Sequence, residues 1–385
     1  MIIDNLRSDS RYDFFIDIAL SFLLTSIFLA RVLGSRISKL FIAIFILTLG
    51  VIILIKYLKT ITLFEYLLMP SIVLLSIAGM LNGGVFFLKN FYLYLSLFGL
   101  IIGIVITNKK TPSWVFLLPF IFILLVVFYS IIKTGGLLKG PYFYDLNRNS
   151  LPVFAISYGI LFTTNQYLKK EKVSIFVSIL SLFISFYSQS RTGLLIAVLF
   201  VIVIVVYRLH CLYIKRANKE IRPKIDLRII IVLAFILTTT TIYILFKNSR
   251  YSEVGFSSSG RIEIYTTFFK ELSWKNFVLG FYPTPLKQYS SLHDSYLQII
   301  ADVGVFSLLI FYVSLISLFY LCKTNKLLAL FLLILFAYGI PEAIIYLRLA
   351  DMALLPLLII AFKRSKIFSK TFEFKLKGDK SDSLS

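Results

Sequence analysis

Apolar runs close to twenty residues long recur from one end of this chain to the other. The hydrocarbon core of a bilayer is about 30 Å thick, and a helix rising 1.5 Å per residue needs about 20 apolar residues to cross it. Runs of that kind occupy approximately 14–33, 38–58, 61–81, 90–107, 113–132, 150–168, 172–189, 192–211, 229–247, 297–321, 327–346 and 349–362. In lipid every backbone group must find its hydrogen bond inside the protein, so spans of this length are helices; a barrel would show short alternating segments instead. The expectation is an all-α polytopic integral membrane protein, one membrane domain over 1–385 with about 11–12 transmembrane helices. The last run is short enough to be re-entrant, paired with the one before it. Composition agrees: 59% of residues are hydrophobic and 15% charged, against about 45–50% and about 25% in soluble domains.

The formal net charge is +21. The basic residues sit in the breaks between apolar runs, so they read as topology signals and contacts to anionic lipid headgroups, with no nucleic acid implied. Placing both termini in the cytoplasm puts most of them inside, including seven in the loop 208–228 and seven in the tail 363–385. Arg31, Arg36 and Lys39 dissent, in a turn on the outer side. Cys211 and Cys322 fall at cytoplasmic helix ends, so no disulfide framework is expected. No cleavable signal peptide is expected either, because Asp4, Arg7, Asp9, Arg11 and Asp13 precede an apolar run too long for one.

Most connections are short, which makes the long outer ones informative. Segment 133–149 is rich in Gly, Asn and Tyr. Segment 248–296 is the longest, and loops beyond about 12–15 residues are usually functional or disordered; its density of aromatics argues for order. Within it, 260–273 has helical periodicity. Ile262, Tyr265, Phe268, Phe269 and Leu272 share one face, which is expected to lie on the outer leaflet or to pack over the bundle.

Ionisable groups at membrane depth are costly and mark functional candidates. Here they gather on the outer side: Arg191 at a junction of two spans, Arg261 opening the loop helix, and His293 and Asp294 where the loop re-enters. Asp294, Gln298 and Asp302 follow at four-residue intervals on one helix stripe. Glu342, Arg348 and Asp351 come near the C-terminal end. Guanidinium groups bind phosphate oxygens and stabilise a departing diphosphate, and a neutral His can take a proton from an attacking hydroxyl. That set fits glycosyl transfer from a lipid-linked diphosphate sugar. It requires no metal or other cofactor, and the outer loops lack paired carboxylates that would hold one. Each residue also has a plainer use. Arg191 can snorkel to lipid phosphate, Arg261 can pair with Glu263 or Asp294, His293 can be a satisfied hydrogen-bonder, and Asp302 can hold a neighbouring helix or Arg.

Four segments resemble the bacterial O-antigen polymerase and O-antigen ligase superfamily. They are SRTGLL at 190–195, SSGRIEIY at 258–265 with Trp274, Leu279 and Gly280 after it, HDSYLQIIADVG at 293–304, and, more weakly, GPYFYDLNRNSLP at 140–152. Together they make up about a tenth of the chain. The resemblance implies a multi-span enzyme joining glycans carried on undecaprenyl diphosphate outside the cytoplasmic membrane. It implies that Arg191 and Arg261 contact the diphosphate and that His293 activates the acceptor. The family usually has Asn after that His; Asp294 stands here, to orient the imidazole or to share the base role. Arg148, Asn149, Tyr296, Gln298, Asp302 and Arg348 are the expected substrate-binding residues. The implied partners are the undecaprenyl-diphosphate-linked oligosaccharide and membrane lipids, with the pathway's chain-length regulator and flippase as candidates.

A polymerase and a ligase share that donor and differ in acceptor, either the next lipid-linked repeat or lipid A-core. The polymerase is favoured here because few residues of this chain are recognisable. The competing readings are a flippase for the same lipid, which should show midplane charges and broken helices in matched halves, and a membrane scaffold with no chemistry.

Overall fold

The computed structural model describes residues 10–82, 86–134, 149–217, 261–283 and 292–364. The expected 229–247 span, Arg148, most of the basic 208–228 loop, nearly all of the 363–385 tail, and 248–260 and 284–291 of the long outer segment lie outside them. The described residues form helices and no extended strand. In chain order these are α1 (Ser10–Leu33), α2 (Arg36–Tyr57), α3 (Leu63–Leu81), α4 (Phe86–Asn108), α5 (Trp114–Thr134), α6 (Ser150–Leu168), α7 (Phe176–Tyr187) and α8 (Arg191–Ala217). After the gap come α9 (Arg261–Glu271), α10 (Trp274–Leu279), α11 (Ser295–Val303), α12 (Ser307–Thr324), α13 (Lys326–Gly339) and α14 (Asp351–Arg364). Seven described helices are long and apolar enough to cross a bilayer: α1–α5, α8, and α11 with α12 taken as one 30-residue unit. The chain is a multi-pass membrane protein.

Below, the lower end of the bundle is where α1 begins and the upper end is where it finishes. Ends are set by local chemistry. Thr62 and Glu65 form a reciprocal capping box at the start of α3, the Thr62 backbone N–H donating to Glu65 Oε2 at 2.6 Å and the Glu65 N–H donating to Thr62 Oγ1 at 3.4 Å. Ion pairs tie the lower end together: Lys56 to Asp13 and Lys109 to Asp17, each at 2.7 Å.

The interior is built on α4, α6 and α14. Residues 150–166 of α6 are buried on every side, so this helix takes polar residues such as Ser157, Thr163 and Asn165 without facing lipid. Helices α4 and α14 approach through Gly99 and Gly103. A Cβ on Gly99 would lie 2.4 Å from the Asp351 carbonyl oxygen, and one on Gly103 2.4 Å from Ile359 Cδ1. Small residues four apart let backbones come this close in lipid, where packing and not hydrophobicity drives association.

Several expected spans are altered. The 172–189 run yields only the 12 helical residues of α7, about 18 Å of helix, because Lys170 and Gln189 at its two borders take positive φ. The 297–321 run is two helices, α11 and α12, broken at Gly304 with φ +61. The 327–346 run stops at Gly339: Pro341 follows closely, and a proline has no N–H to continue the ladder while its ring clashes with the preceding turn. Residues 340–350 are then irregular and largely buried.

Irregular backbone at membrane depth survives only where protein satisfies its polar groups. Ser295 of α11 does much of this. Its hydroxyl donates to the Glu342 carbonyl at 2.8 Å and accepts from Ile344 N at 2.9 Å and Ile345 N at 3.2 Å. Asp351 adds to it, its Oδ2 accepting from Leu347 N at 2.7 Å, Arg348 N at 3.3 Å and Ser96 Oγ at 2.6 Å.

The loop helix α9 packs over the bundle. Its inward face is Ile264 and Phe268, both buried with Leu292, Leu297 and Ala301 and flanked by Tyr265 and Leu272. Ile262 and Phe269, assigned to the same apolar face by periodicity, point away and are exposed, as are Trp274 and Leu279 of α10. The helix is apolar on two sides, and among the described residues only one of them meets protein.

Candidate functional site

The upper end gathers side chains from α6, α9, α11 and the irregular 340–350 segment. Glu342 is the meeting point. Its Oε1 accepts from Arg261 Nη2 at 3.1 Å and from Asn149 Nδ2 at 3.2 Å. Arg261 is the first residue of α9, Asn149 immediately precedes α6 without capping it, and the Ser295 bond to the Glu342 carbonyl fixes the same residue to α11. The Glu342 side chain is 10% exposed and that of Arg261 29%. One end of the ion pair is therefore sheltered and the other open.

His293 lies beside this pair, half-buried, with φ +53. A non-glycine residue in that region carries strain held by its surroundings, and His is among the types that tolerate it. Burial lowers the His293 pKa from its ordinary 6.5, and the positive charge of Arg261 lowers it further. Both effects keep the imidazole neutral, the form able to accept a proton.

Asp294 is committed to local structure. It caps α11, its Oδ1 accepting from Tyr296 N at 2.8 Å and Leu297 N at 3.0 Å. Its Oδ2 receives the Tyr265 hydroxyl at 3.3 Å. Burial raises its pKa, against those hydrogen bonds and Arg261, which lower it. Tyr265 is pushed up to about 12, by burial first and then by the Asp294 charge, so its hydroxyl keeps its proton and donates. The polar stripe Asp294–Gln298–Asp302 thus begins with a cap.

Arg191 opens α8 at the same end and is half-buried. Gln189 before it has φ +52, a sharp entry into the helix. Gly193 packs against Pro152, where a Cβ would sit 2.6 Å from Pro152 Cβ. The first turn of α8 therefore abuts the first turn of α6, next to Asn149.

The remaining expected substrate-binding residues join a second, more buried cluster. Gln298 Nε2 donates to Asp302 Oδ1 at 3.0 Å, and Gln298 Oε1 accepts from Leu292 N at 3.0 Å. Asp302 Oδ2 pairs with Arg348 Nη2 at 3.2 Å, both side chains under a tenth exposed. The Arg348 guanidinium lies 5.0 Å from the centre of the Tyr92 ring. Asn82 Nδ2 donates to the carbonyls of Asp302 at 2.9 Å and Leu279 at 2.7 Å, tying α3 to α10 and α11. Tyr296 donates its hydroxyl to the Phe336 carbonyl at 3.0 Å and packs against Phe311 and Tyr346. These contacts hold α3, α10, α11, α13 and the 340–350 segment together around the site.

The structure brings Arg261, His293, Asp294 and Asn149 to one place, with Arg191 opening the helix next to Asn149's. It leaves Gln298, Asp302, Arg348 and Tyr296 bonded to protein partners, and Arg148 is outside the described residues. Glu342, named from the sequence among the ionisable candidates but given no role, and Tyr265, read only as part of an apolar helix face, join the site. The signal for Glu342 was a carboxylate one residue after Pro341, inside an apolar run. Among the described residues no three His, Cys, Asp or Glu side chains come together as metal ligands. No family model, no curated protein and no solved structure matches this chain.

Proposed function

We propose that the protein is a bacterial cytoplasmic-membrane glycosyltransferase that polymerises undecaprenyl-diphosphate-linked oligosaccharide repeats on the outer face. In this reading the chain crosses the membrane about 11–12 times with both termini inside, and the upper end of the bundle faces outward. The observation that carries it is a fixed cation, Arg261, close enough to a half-buried His293 to help keep it neutral. A cation for the leaving diphosphate and a base for the incoming hydroxyl are the two groups such a transfer needs.

The step is a displacement at the anomeric carbon. An acceptor hydroxyl forms the new C–O bond and gives its proton to His293. The old C–O bond breaks, and its electron pair leaves with the carrier diphosphate, whose charge Arg261 and Arg191 stabilise. A single displacement inverts that carbon. The ligase differs only in supplying its acceptor hydroxyl from lipid A-core.

The test is surface-polymer length on a gel, in a deletion strain complemented with wild type or with Arg191→Ala, Arg261→Ala or His293→Ala. Single repeats in the deletion, not rescued by the three variants at normal expression, support the polymerase. Long chains left on the lipid carrier make it a ligase. Unchanged polymer length refutes both.

A further inference from the structure

Glu342 poses a problem of charge for any anionic substrate at this end. It is buried, held by its backbone to Ser295 and by its side chain to Asn149, and its Oε1 occupies Arg261 at 3.1 Å. A carboxylate satisfies a guanidinium much as a phosphate oxygen does. One of the donors Arg261 would offer to a phosphate, Nη2, is therefore already engaged by one negative charge.

Resting on the diphosphate-donor reading above, we infer that Glu342 is a specificity-determining counterion, which withholds Arg261 from monoanionic phospholipid headgroups and yields it to a diphosphate lipid. Phospholipid phosphates surround a membrane protein in large excess, and each carries a single negative charge. A single-charge headgroup gains from Arg261 only what Glu342 already supplies, and it leaves a buried carboxylate beside another anion, a costly arrangement. A diphosphate brings more charge and a second phosphate that reaches further cations. Rejecting the abundant competitor through a built-in unfavourable charge is how specificity is gained without tighter binding.

The experiment uses the full chain in lipid nanodiscs of phosphatidylcholine, with and without phosphatidylglycerol, and geranylgeranyl diphosphate as the probe. Glu342→Gln keeps the shape of the side chain and removes its charge. The expected result is probe binding about tenfold tighter than wild type in neutral discs, a 1.4 kcal/mol change, with that gain lost when phosphatidylglycerol is added. Wild type should be indifferent to phosphatidylglycerol. Asn149→Asp, which adds a second carboxylate beside Arg261, should weaken probe binding about tenfold, and it serves if the Gln variant does not fold. Binding by Glu342→Gln at wild-type strength or below, or with no response to phosphatidylglycerol, overturns the counterion role. Arg261→Ala separates the two levels. If it binds the probe as well as wild type does, the diphosphate reading fails; if it loses the probe while Glu342→Gln changes nothing, only the counterion role fails.

Discussion

The buried pair between Asp302 and Arg348 makes a quantitative prediction about what holds the site. The two groups lie 3.2 Å apart with side-chain exposures of 5% and 7%. At an effective dielectric of about 20, opposite unit charges at that distance attract by about 5 kcal/mol. Desolvation of both ions offsets most of this, so the pair's net contribution is small, while removing one partner strands the other and costs about 3–5 kcal/mol. Asp302→Leu and Arg348→Met should each destabilise the protein by about that amount. The double variant should recover most of the loss, so that its cost falls about 5 kcal/mol or more short of the sum of the two single losses. The assay is unfolding by titration of a denaturing detergent into micelles, on wild type, both single variants and the double. Additive losses would refute the reasoning, because they would mean that neither charge senses the other and that the geometry is incidental.

Other outcomes follow from the same contacts. Gly99→Leu and Gly103→Leu should each prevent α4 from seating on α14, since even a Cβ would come within 2.4 Å of the neighbouring atoms; loss of a monodisperse peak on size exclusion checks this. Ser295→Ala should cost about 1–3 kcal/mol for the unsatisfied backbone groups of 342–345, read in the same detergent titration. His293→Ala should slow chain elongation by about 10²–10⁴. Because burial and Arg261 lower the His293 pKa, the acid limb of the wild-type rate should lie below pH 6.5. Arg261→Ala should move that limb upward, toward 6.5, as well as reducing the rate; a limb that stays in place would show that Arg261 does not act on the imidazole. The same shift makes folding less favourable as the pH falls through 6.5 and below, since the unfolded chain binds that proton more readily.

Much of the architecture was legible because lipid leaves few choices. The apolar runs gave α1–α6 and α8 with their borders nearly in place, since a bilayer demands about twenty residues per crossing and internally closed hydrogen bonds. Charge in an otherwise apolar chain also pointed to Arg191, Arg261, His293 and Asp294. What the runs could not show was where an apolar stretch stops being a helix. Residues 340–350 look like the end of a span, yet they form irregular backbone, because Ser295, far away in sequence, and Asp351, just after the segment, supply the hydrogen bonds that a helix would otherwise make for itself. Periodicity likewise could not tell which apolar side of α9 meets protein, since Ile262 and Ile264 differ only in what lies opposite them. The sequence by itself determined that this chain crosses a membrane and singled out Arg191, Arg261, His293 and Asp294 among its apolar runs. Only the tertiary structure decided that Glu342 answers Arg261 and that Asp302 answers Arg348, because pairing across 46 or 81 residues depends on how helices pack, and packing in lipid is set by shape and polar contacts that leave no period in the sequence.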